Sequence, residues 1–165
     1  MAVFASLVVG ADGSTTKDGN SRGIASGIDR STFLARRRSA DFLFIGGQTA
    51  RTEPYHHTPV PVVVASRSMI NALADNRLAH WWNLSPTAAL ATGVKKFGGN
   101  VLVESGPSII DELLLNKALD GIYLSITEVT GGENPIDIAA LLGNFVEIDR
   151  QDVDGTQFIE ARKQK

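Results

Sequence analysis

Apolar residues in this chain come in short runs closed by glycine and small polar residues, and the longer stretches between them keep one face polar. Val3 to Val9, Phe42 to Ile45, Val62 to Val64 and Val101 to Val103 are apolar runs rich in β-branched and aromatic residues, the pattern of strands covered on both faces. Between them the period changes to that of a helix. Ser26 with Asp29 after it opens a helix running to about Arg38, with Phe33 and Leu34 inward. Helices are also predicted over Met69 to Leu78 and from Ser85-Pro86 to Lys96, the latter ended by Gly98-Gly99. Ile109, Ile110, Leu113 and Leu114 recur at helical spacing after Pro107, which makes Gly106 the expected N-cap. Gly121 to Thr127, Phe145 to Asp149 and Gln157 to Ala161 are strand-like, with a hairpin signal at Asp154-Gly155. Strand and helix alternate first and a hairpin follows. The fold class predicted is α/β, a mixed and mostly parallel sheet with helices on both faces and a C-terminal antiparallel hairpin.

The breaks in the pattern carry information too. Gly10 to Gly23 is dense in Gly, Ser, Thr, Asp and Asn and reads as a long mobile loop, a length often used for lids and binding segments. Thr52 to Pro61 contains Pro54, Pro59 and Pro61 and reads as an irregular connection. Arg36, Arg37 and Arg38 close the first helix; cations there suit the helix dipole, at least two of them facing solvent and one free to turn to a ligand. Trp81-Trp82 fits no element and suggests a hydrophobic cover or a subunit contact. The tail from Arg162 to Lys165 is expected to fray.

Composition narrows the classes. A chain of 165 residues with 43% hydrophobic and 21% charged residues is read as one globular domain spanning 1–165. A net charge of −2 argues against nucleic-acid binding. With no cysteine there is no disulfide, thiolate metal site or cysteine nucleophile, and His56-His57 lacks the spaced partners of a metal site, so no metal is expected. Met1-Ala2-Val3-Phe4 has no basic leader, and Asp12 interrupts the apolar run, so a cytoplasmic protein without a membrane segment is expected.

Candidate chemistry gathers where strands end. After Val103 come Glu104, Ser105, Gly106, Pro107 and Ser108, a strand-to-helix turn whose backbone N–H groups and helix dipole suit a phosphate. Gly46-Gly47-Gln48-Thr49 and Ser66-Arg67 follow two other buried strands, and open α/β sheets bind ligands at such carboxyl ends. Glu104, at the edge of an apolar strand, is the candidate for protonating substrate or binding its hydroxyls, with a raised pKa.

The order of these motifs resembles the reductase domain at the carboxyl end of bifunctional riboflavin-biosynthesis proteins, a relative of dihydrofolate reductase. The carriers are Ala11-Asp12-Gly13, Asn20-Ser21, Arg37 with Asp41, Gly46-Gly47-Gln48-Thr49, Ser66, Val103-Glu104-Ser105-Gly106-Pro107 and Gly131-Gly132, spread over nearly the whole chain. The resemblance implies a three-layer dihydrofolate-reductase-like fold and hydride transfer from NADPH to a ribosylaminopyrimidine phosphate in riboflavin biosynthesis. It also implies a homodimer, for which Ile122-Tyr123-Leu124 would suit the interface. Carried over residue by residue, NADPH would meet Val9, Thr49, Ser66 and the segment Gly106 to Glu112, while substrate would meet Ser21, Arg37 and Glu104; the residues' own chemistry adds Gly46, Gly47, Ser105, Pro107 and Ser108 at the glycine turns, and Arg67, which with Ser66 would suit the 2′-phosphate of NADPH. The departures fall mainly in the substrate half. Gly23 replaces a tryptophan, Ser6 a lysine, Thr52-Glu53-Pro54 shortens the Ala-Asp-Asp-Pro motif, and an arginine that helps fix the substrate phosphate is missing. His56 or His57, once protonated, would restore part of that charge. A diverged heterocyclic substrate of pyrimidine or pteridine type follows; the alternative is a non-catalytic nucleotide-binding or assembly domain of the same fold.

Overall fold

The computed structural model describes every residue except Lys165. Eight strands, β1 (Ala2–Val9), β2 (Phe42–Gly46), β3 (Val62–Ala65), β4 (Ala79–Trp82), β5 (Asn100–Val103), β6 (Gly121–Ile126), β7 (Val146–Val153) and β8 (Thr156–Arg162), form one sheet in the order β4-β3-β2-β5-β1-β6-β8-β7. Pairings from β4 across to β6 are parallel, and β6 with β8 and β8 with β7 are antiparallel. Among the described residues five α-helices accompany them, α1 (Gly27–Ser39), α2 (Gly47–Thr52), α3 (Pro86–Phe97), α4 (Pro107–Leu115) and α5 (Ile138–Leu142), with a short 3-10 helix at Ser21–Gly23. This is the α/β, mixed and mostly parallel sheet with a C-terminal hairpin that the pattern implies. Among the described residues no helix is long and apolar enough to cross a membrane.

The strands are apolar throughout because both faces are covered: every residue of β2 and β3 is buried. Ala89 and Leu90 of α3, Ile110 and Leu113 of α4 and Leu141 of α5 pack on one face, against residues that include Phe42, Phe44, Val101, Val103, Ile122 and Leu124. A side chain at Gly93 would begin 2.7 Å from the Phe42 ring, so glycine is what lets α3 approach β2. On the other face Ala50, Tyr55 and Leu73 cover Leu43, Ile45, Val62, Val64 and Leu102. Helix starts are capped as expected: Ser26 Oγ accepts from Asp29 N and Ser85 Oγ from Ala88 N, and Pro86 and Pro107 open α3 and α4. Asp154 and Gly155 both have positive φ, 50° and 84°, which turns the β7–β8 hairpin.

Several expectations are corrected. Residues 69–78 form no helix, because their polar side chains bond their own backbone instead: Ser68 Oγ accepts from Ile70 N, Asn71 Oδ1 from Leu73 N and Asn76 Oδ1 from Leu78 N. The tryptophan pair lies in the parallel edge strand β4, where alternation sends Trp81 to one core and Trp82 to the other. Gly47-Gln48-Thr49 begins the short helix α2, with Gly46 as its N-cap. Leu34 is 40% exposed, and the buried residues of α1 are Asp29 and Arg37. Ile122 and Leu124 are core residues of an interior strand, which removes them from any subunit interface. At the tail, Arg162 ends β8 and Lys163 N donates to Asp120 O, while Lys165 lies outside the described residues.

The loop after β1 is pinned to the segment after β6 rather than hanging free. Ala11 N donates to Val129 O, Thr15 N to Glu133 O, and Glu133 N to Thr16 O. The Glu133 carboxylate accepts from Thr16 Oγ1, Asp18 N and Gly19 N. The Asp12 carboxylate accepts from the Ser14 hydroxyl and from Gly131 N, which hold its pKa down at about 2.

Candidate active site

The carboxyl ends of β1, β2, β3 and β5 open into one cavity of about 520 Å³. Parallel strands all deliver their ends to the same side of a sheet, so residues far apart in sequence meet there. Of the positions singled out from the sequence, Ser21, Arg37, Gly46, Gly47, Thr49, Ser66, Arg67, Glu104, Ser105, Gly106, Pro107 and Ser108 all line it. Val9 does not. Its side chain is fully buried in the core, and the wall at β1 is made by Ser6, Leu7 and Val8.

One end of the cavity is built from turns. Gly106 is the N-cap of α4 without a side-chain capping bond, and a Cβ placed on it meets nothing within 4 Å. The start of α4 therefore lies beside open space at a residue with no side chain, an arrangement that fits a diphosphate. Ser105 is 2% exposed, and its Oγ accepts from Gly46 N at 2.8 Å, tying this turn to the start of α2. A Cβ on Gly47 would begin 2.6 Å from Ser66 Oγ and 3.2 Å from Arg51 Nη1, so hydroxyl and guanidinium converge over that glycine. Arg67 lines the same wall, and neither arginine is in an ion pair among the described residues.

The other end holds a buried ionic cluster. Arg37 Nε donates to Glu104 Oε1 at 3.1 Å and to Oε2 at 3.0 Å, and Arg37 Nη2 donates to Oε1 at 2.8 Å. Tyr55 Oη donates to the same Oε1 at 2.7 Å. The guanidinium is held between aromatic rings, 4.5 Å from the Phe33 centroid and 4.9 Å from that of Tyr55. Burial pushes the Glu104 carboxyl above its ordinary value, against the pull of Arg37 and Tyr55. Burial works against the charge on Arg37, but the bonds and charge of Glu104 prevail and raise its pKa. Burial, helped by the Glu104 charge, lifts Tyr55 well above the ordinary phenol value. The phenol therefore stays a donor, and Glu104 spends its acceptor capacity within the protein rather than standing free.

Helix α1 contributes a stripe of cavity-lining residues, Asp29, Phe33 and Arg37, at successive fourth positions. Asp29 is 8% exposed, and burial raises its pKa against the Ser125 hydroxyl and the Arg36 charge. Arg36 also turns inward, with its guanidinium carbon 4.0 Å above the Tyr123 ring, so Arg38 alone of the arginine triplet is exposed. Sequence reasoning used Asp29 only as a capping partner and missed Tyr55 and Arg51 altogether. The placement of Asp29 eight residues before Arg37, on the same helix face, was the available signal for Asp29; nothing local marked Tyr55. Arg22 and Arg30 line the cavity as well, whereas His56 points to Asp75, 2.7 Å from its Oδ1, and neither His56 nor His57 reaches the wall. Among the described residues the cations lining the cavity are arginines.

The architecture is a dihydrofolate-reductase-like fold, and solved structures share that fold over nearly the full chain. A bifunctional diaminohydroxyphosphoribosylaminopyrimidine deaminase/5-amino-6-(5-phosphoribosylamino)uracil reductase from Thermotoga maritima matches with a TM-score of 0.74 at 14% identity, over 99% of this chain and 56% of that one. A pyrimidine reductase-like protein from Corynebacterium diphtheriae matches with a TM-score of 0.73 at 16% identity, over 99% of this chain and 92% of that one. A candidate riboflavin biosynthesis protein from Shewanella sp. PV-4 matches with a TM-score of 0.73 at 19% identity over 100% of both chains. The chain thus spans little more than half of the bifunctional Thermotoga protein. No protein-family profile matches the sequence, and no curated protein matches it.

Proposed function

We propose that this chain is an NADPH-dependent reductase of the pyrimidine reductase type, acting on a heterocyclic substrate that differs from the riboflavin intermediate. One observation carries the reading: the open turn at Gly106 and the buried Arg37–Glu104–Tyr55 cluster line the same cavity. The named reductase activity of the Thermotoga neighbour, which has this fold, supports it. Gly106, Pro107 and Ser108 would seat the diphosphate, while Ser66 and Arg67 would meet the 2′-phosphate that separates NADPH from NADH. When bound, the nicotinamide supplies the hydride.

This chain's residues supply binding and orientation. Glu104 fixes Arg37 Nε and Nη2, so the guanidinium is oriented to offer a donor to a substrate oxygen. Asp29, two helical turns away, offers an acceptor to N–H groups of a heterocycle, and Phe33 between them gives a flat wall. A dianionic phosphate would be repelled by Asp29 and Glu104 and favoured by Arg22 and Arg30. On the same reading the protein is a cytoplasmic homodimer whose interface lies away from Ile122 and Leu124.

The test is titration with NADPH and NADH followed by steady-state NADPH oxidation with the ribosylaminopyrimidine phosphate. Tight NADPH binding with weak or absent turnover of that compound is the expected result. Absence of NADPH binding removes the reading in favour of a non-catalytic domain. Turnover as efficient as that of a dedicated riboflavin reductase removes the divergence.

A further inference from the structure

Hydrogen-bond donors gather over Gly47. This glycine is buried at the start of α2, and the place its side chain would fill is flanked by Ser66 Oγ and Arg51 Nη1, 2.6 Å and 3.2 Å from an ideal Cβ. Ser66 is 8% exposed and its Oγ accepts from Ser68 N at 3.1 Å, which leaves the hydroxyl proton to be donated; among the described residues nothing accepts it. Arg51 Nη2 reaches Gln48 Oε1 only at 3.4 Å, and Arg67, next in the chain to Ser66, lines the same cavity. The carboxylates lining that cavity are engaged elsewhere: Glu53 accepts from Ser21 N at 2.7 Å, Glu104 is locked to Arg37, and Asp29 bonds the Ser125 hydroxyl. One hydroxyl and two guanidinium groups, with no carboxylate paired to them, form the donor set of an anion with several oxygens.

We propose that Ser66 and Arg51, meeting over Gly47, form the seat of a phosphomonoester, and that Arg51 is a specificity residue selecting phosphorylated over unphosphorylated ligand. A phosphomonoester carries a charge of about −1.5 to −2 at pH 7 and three terminal oxygens, which match one hydroxyl and two guanidinium groups better than a carboxylate does. Gly47 matters through its missing side chain, because a methyl group there would displace both Ser66 Oγ and Arg51 Nη1. The seat also adjoins the turn at Gly106. Gly46 N donates to Ser105 Oγ at 2.8 Å, and a Cβ on Gly46 would strike Ile109 of α4, so the starts of α2 and α4 are in contact. A ligand with its diphosphate at Gly106 thus brings a further phosphate within reach of Gly47. On the reductase reading, on which this assignment rests, that group is the 2′-phosphate of NADPH, met by Arg51 from α2 as well as by Ser66 and Arg67 after β3. The seat itself rests only on the donors. The same chemistry is present in the sugar phosphate of a substrate, and the experiment separates the two sources.

The experiment is calorimetric titration of the full chain with 2′,5′-ADP, 5′-AMP and ribose 5-phosphate, in wild type, Arg51→Gln, Gly47→Ala and Arg38→Gln. The ratio of the 2′,5′-ADP affinity to the 5′-AMP affinity isolates the 2′-phosphate. It should fall about tenfold in Arg51→Gln, and by a similar factor in Gly47→Ala, which keeps every charge. Arg38 is exposed and outside the cavity lining, so Arg38→Gln should leave the ratio as it is. An equal fall in Arg38→Gln reduces the effect to net charge and overturns the seat. So does a wild type that binds 2′,5′-ADP no better than 5′-AMP. An unchanged ratio in Arg51→Gln overturns the role of Arg51. A fall confined to ribose 5-phosphate puts a substrate phosphate in the seat and overturns the assignment to the cofactor. Should Gly47→Ala not fold, Arg51→Lys takes its place, since it keeps the charge and removes the guanidinium fork; an undiminished ratio there overturns the directed geometry. Titration of the wild type with NADPH tests the reductase reading separately. No NADPH binding, with the ratio falling as expected, removes that reading and leaves the seat; NADPH binding with an unchanged ratio removes the seat alone.

Discussion

Replacing Arg37 by methionine keeps most of the aliphatic volume of the side chain and removes its charge, leaving Glu104 with the Tyr55 hydroxyl as its remaining side-chain donor. The Glu104 side chain is 1% exposed and that of Arg37 11%, so water cannot replace the lost partner without opening the site. Breaking a buried pair from one side costs about 3–5 kcal/mol because an uncompensated charge remains. For a domain whose total stability is about 5–15 kcal/mol, that is a large share. The sign of the pH dependence follows from Glu104, whose folded pKa already lies above its ordinary value through burial and rises further once the guanidinium is gone. A carboxyl with a raised folded pKa favours the folded state in its protonated form. The deficit of Arg37→Met is therefore largest near neutral pH and shrinks as pH falls through the folded pKa toward the unfolded one. Urea unfolding of wild type and variant at pH 7 and near pH 5 measures both quantities. Adding Glu104→Leu to Arg37→Met should return most of the loss, because a hydrophobic pair of similar volume is close to neutral. A deficit below about 1 kcal/mol at pH 7, or one that does not change with pH, would show that the pair is solvated and refute the argument.

Gly106→Val abolishes NADPH binding while the far-ultraviolet spectrum stays native, because the backbone there has φ −70° and the added side chain meets only open cavity; undiminished affinity in the folded variant moves the diphosphate elsewhere. Arg67→Ala weakens NADPH by about 1.5–3 kcal/mol and leaves NADH nearly unchanged, and equal losses for both in paired titrations remove Arg67 from the 2′-phosphate. Asp12 has its pKa held down at about 2 from an ordinary 3.8, so its contribution is present above the unfolded value and lost as pH falls through about 2. Melting temperatures of Asp12→Asn and wild type should then converge at the acid end of a scan, and a constant gap rules that out. Asp29→Asn reduces affinity for an aminopyrimidine probe without altering the affinity for NADPH, and calorimetry on both ligands checks it.

The parts of the fold legible in the sequence are those decided locally. Strands such as β2 and β3 are apolar at nearly every position because both faces are covered, and Ser26, Ser85, Pro86 and Pro107 mark helix starts through bonds made within a few residues. The segment 69–78 has helical spacing, but Ser68, Asn71 and Asn76 offer the backbone nearer partners, a competition that a hydrophobic period does not register. At the site, motifs at strand ends predicted which turns gather, because parallel strands must deliver their ends together. They could not predict what Arg37 touches. Its pairing with Glu104 spans 67 residues and depends on Tyr55, which sits in a proline-rich connection with no pattern of its own.

The place of β1 in the sheet bears on how the molecule is made. Val3 pairs with Val101 and Phe4 with Gly121, so this strand is synthesised long before either neighbour exists. At about 5–20 residues per second, its apolar side chains wait several seconds outside the ribosome with no edge to join. Completion of the sheet is then an insertion between β5 and β6, a late and non-local event that makes refolding slow and leaves Val3 to Val9 as the segment most in need of a chaperone.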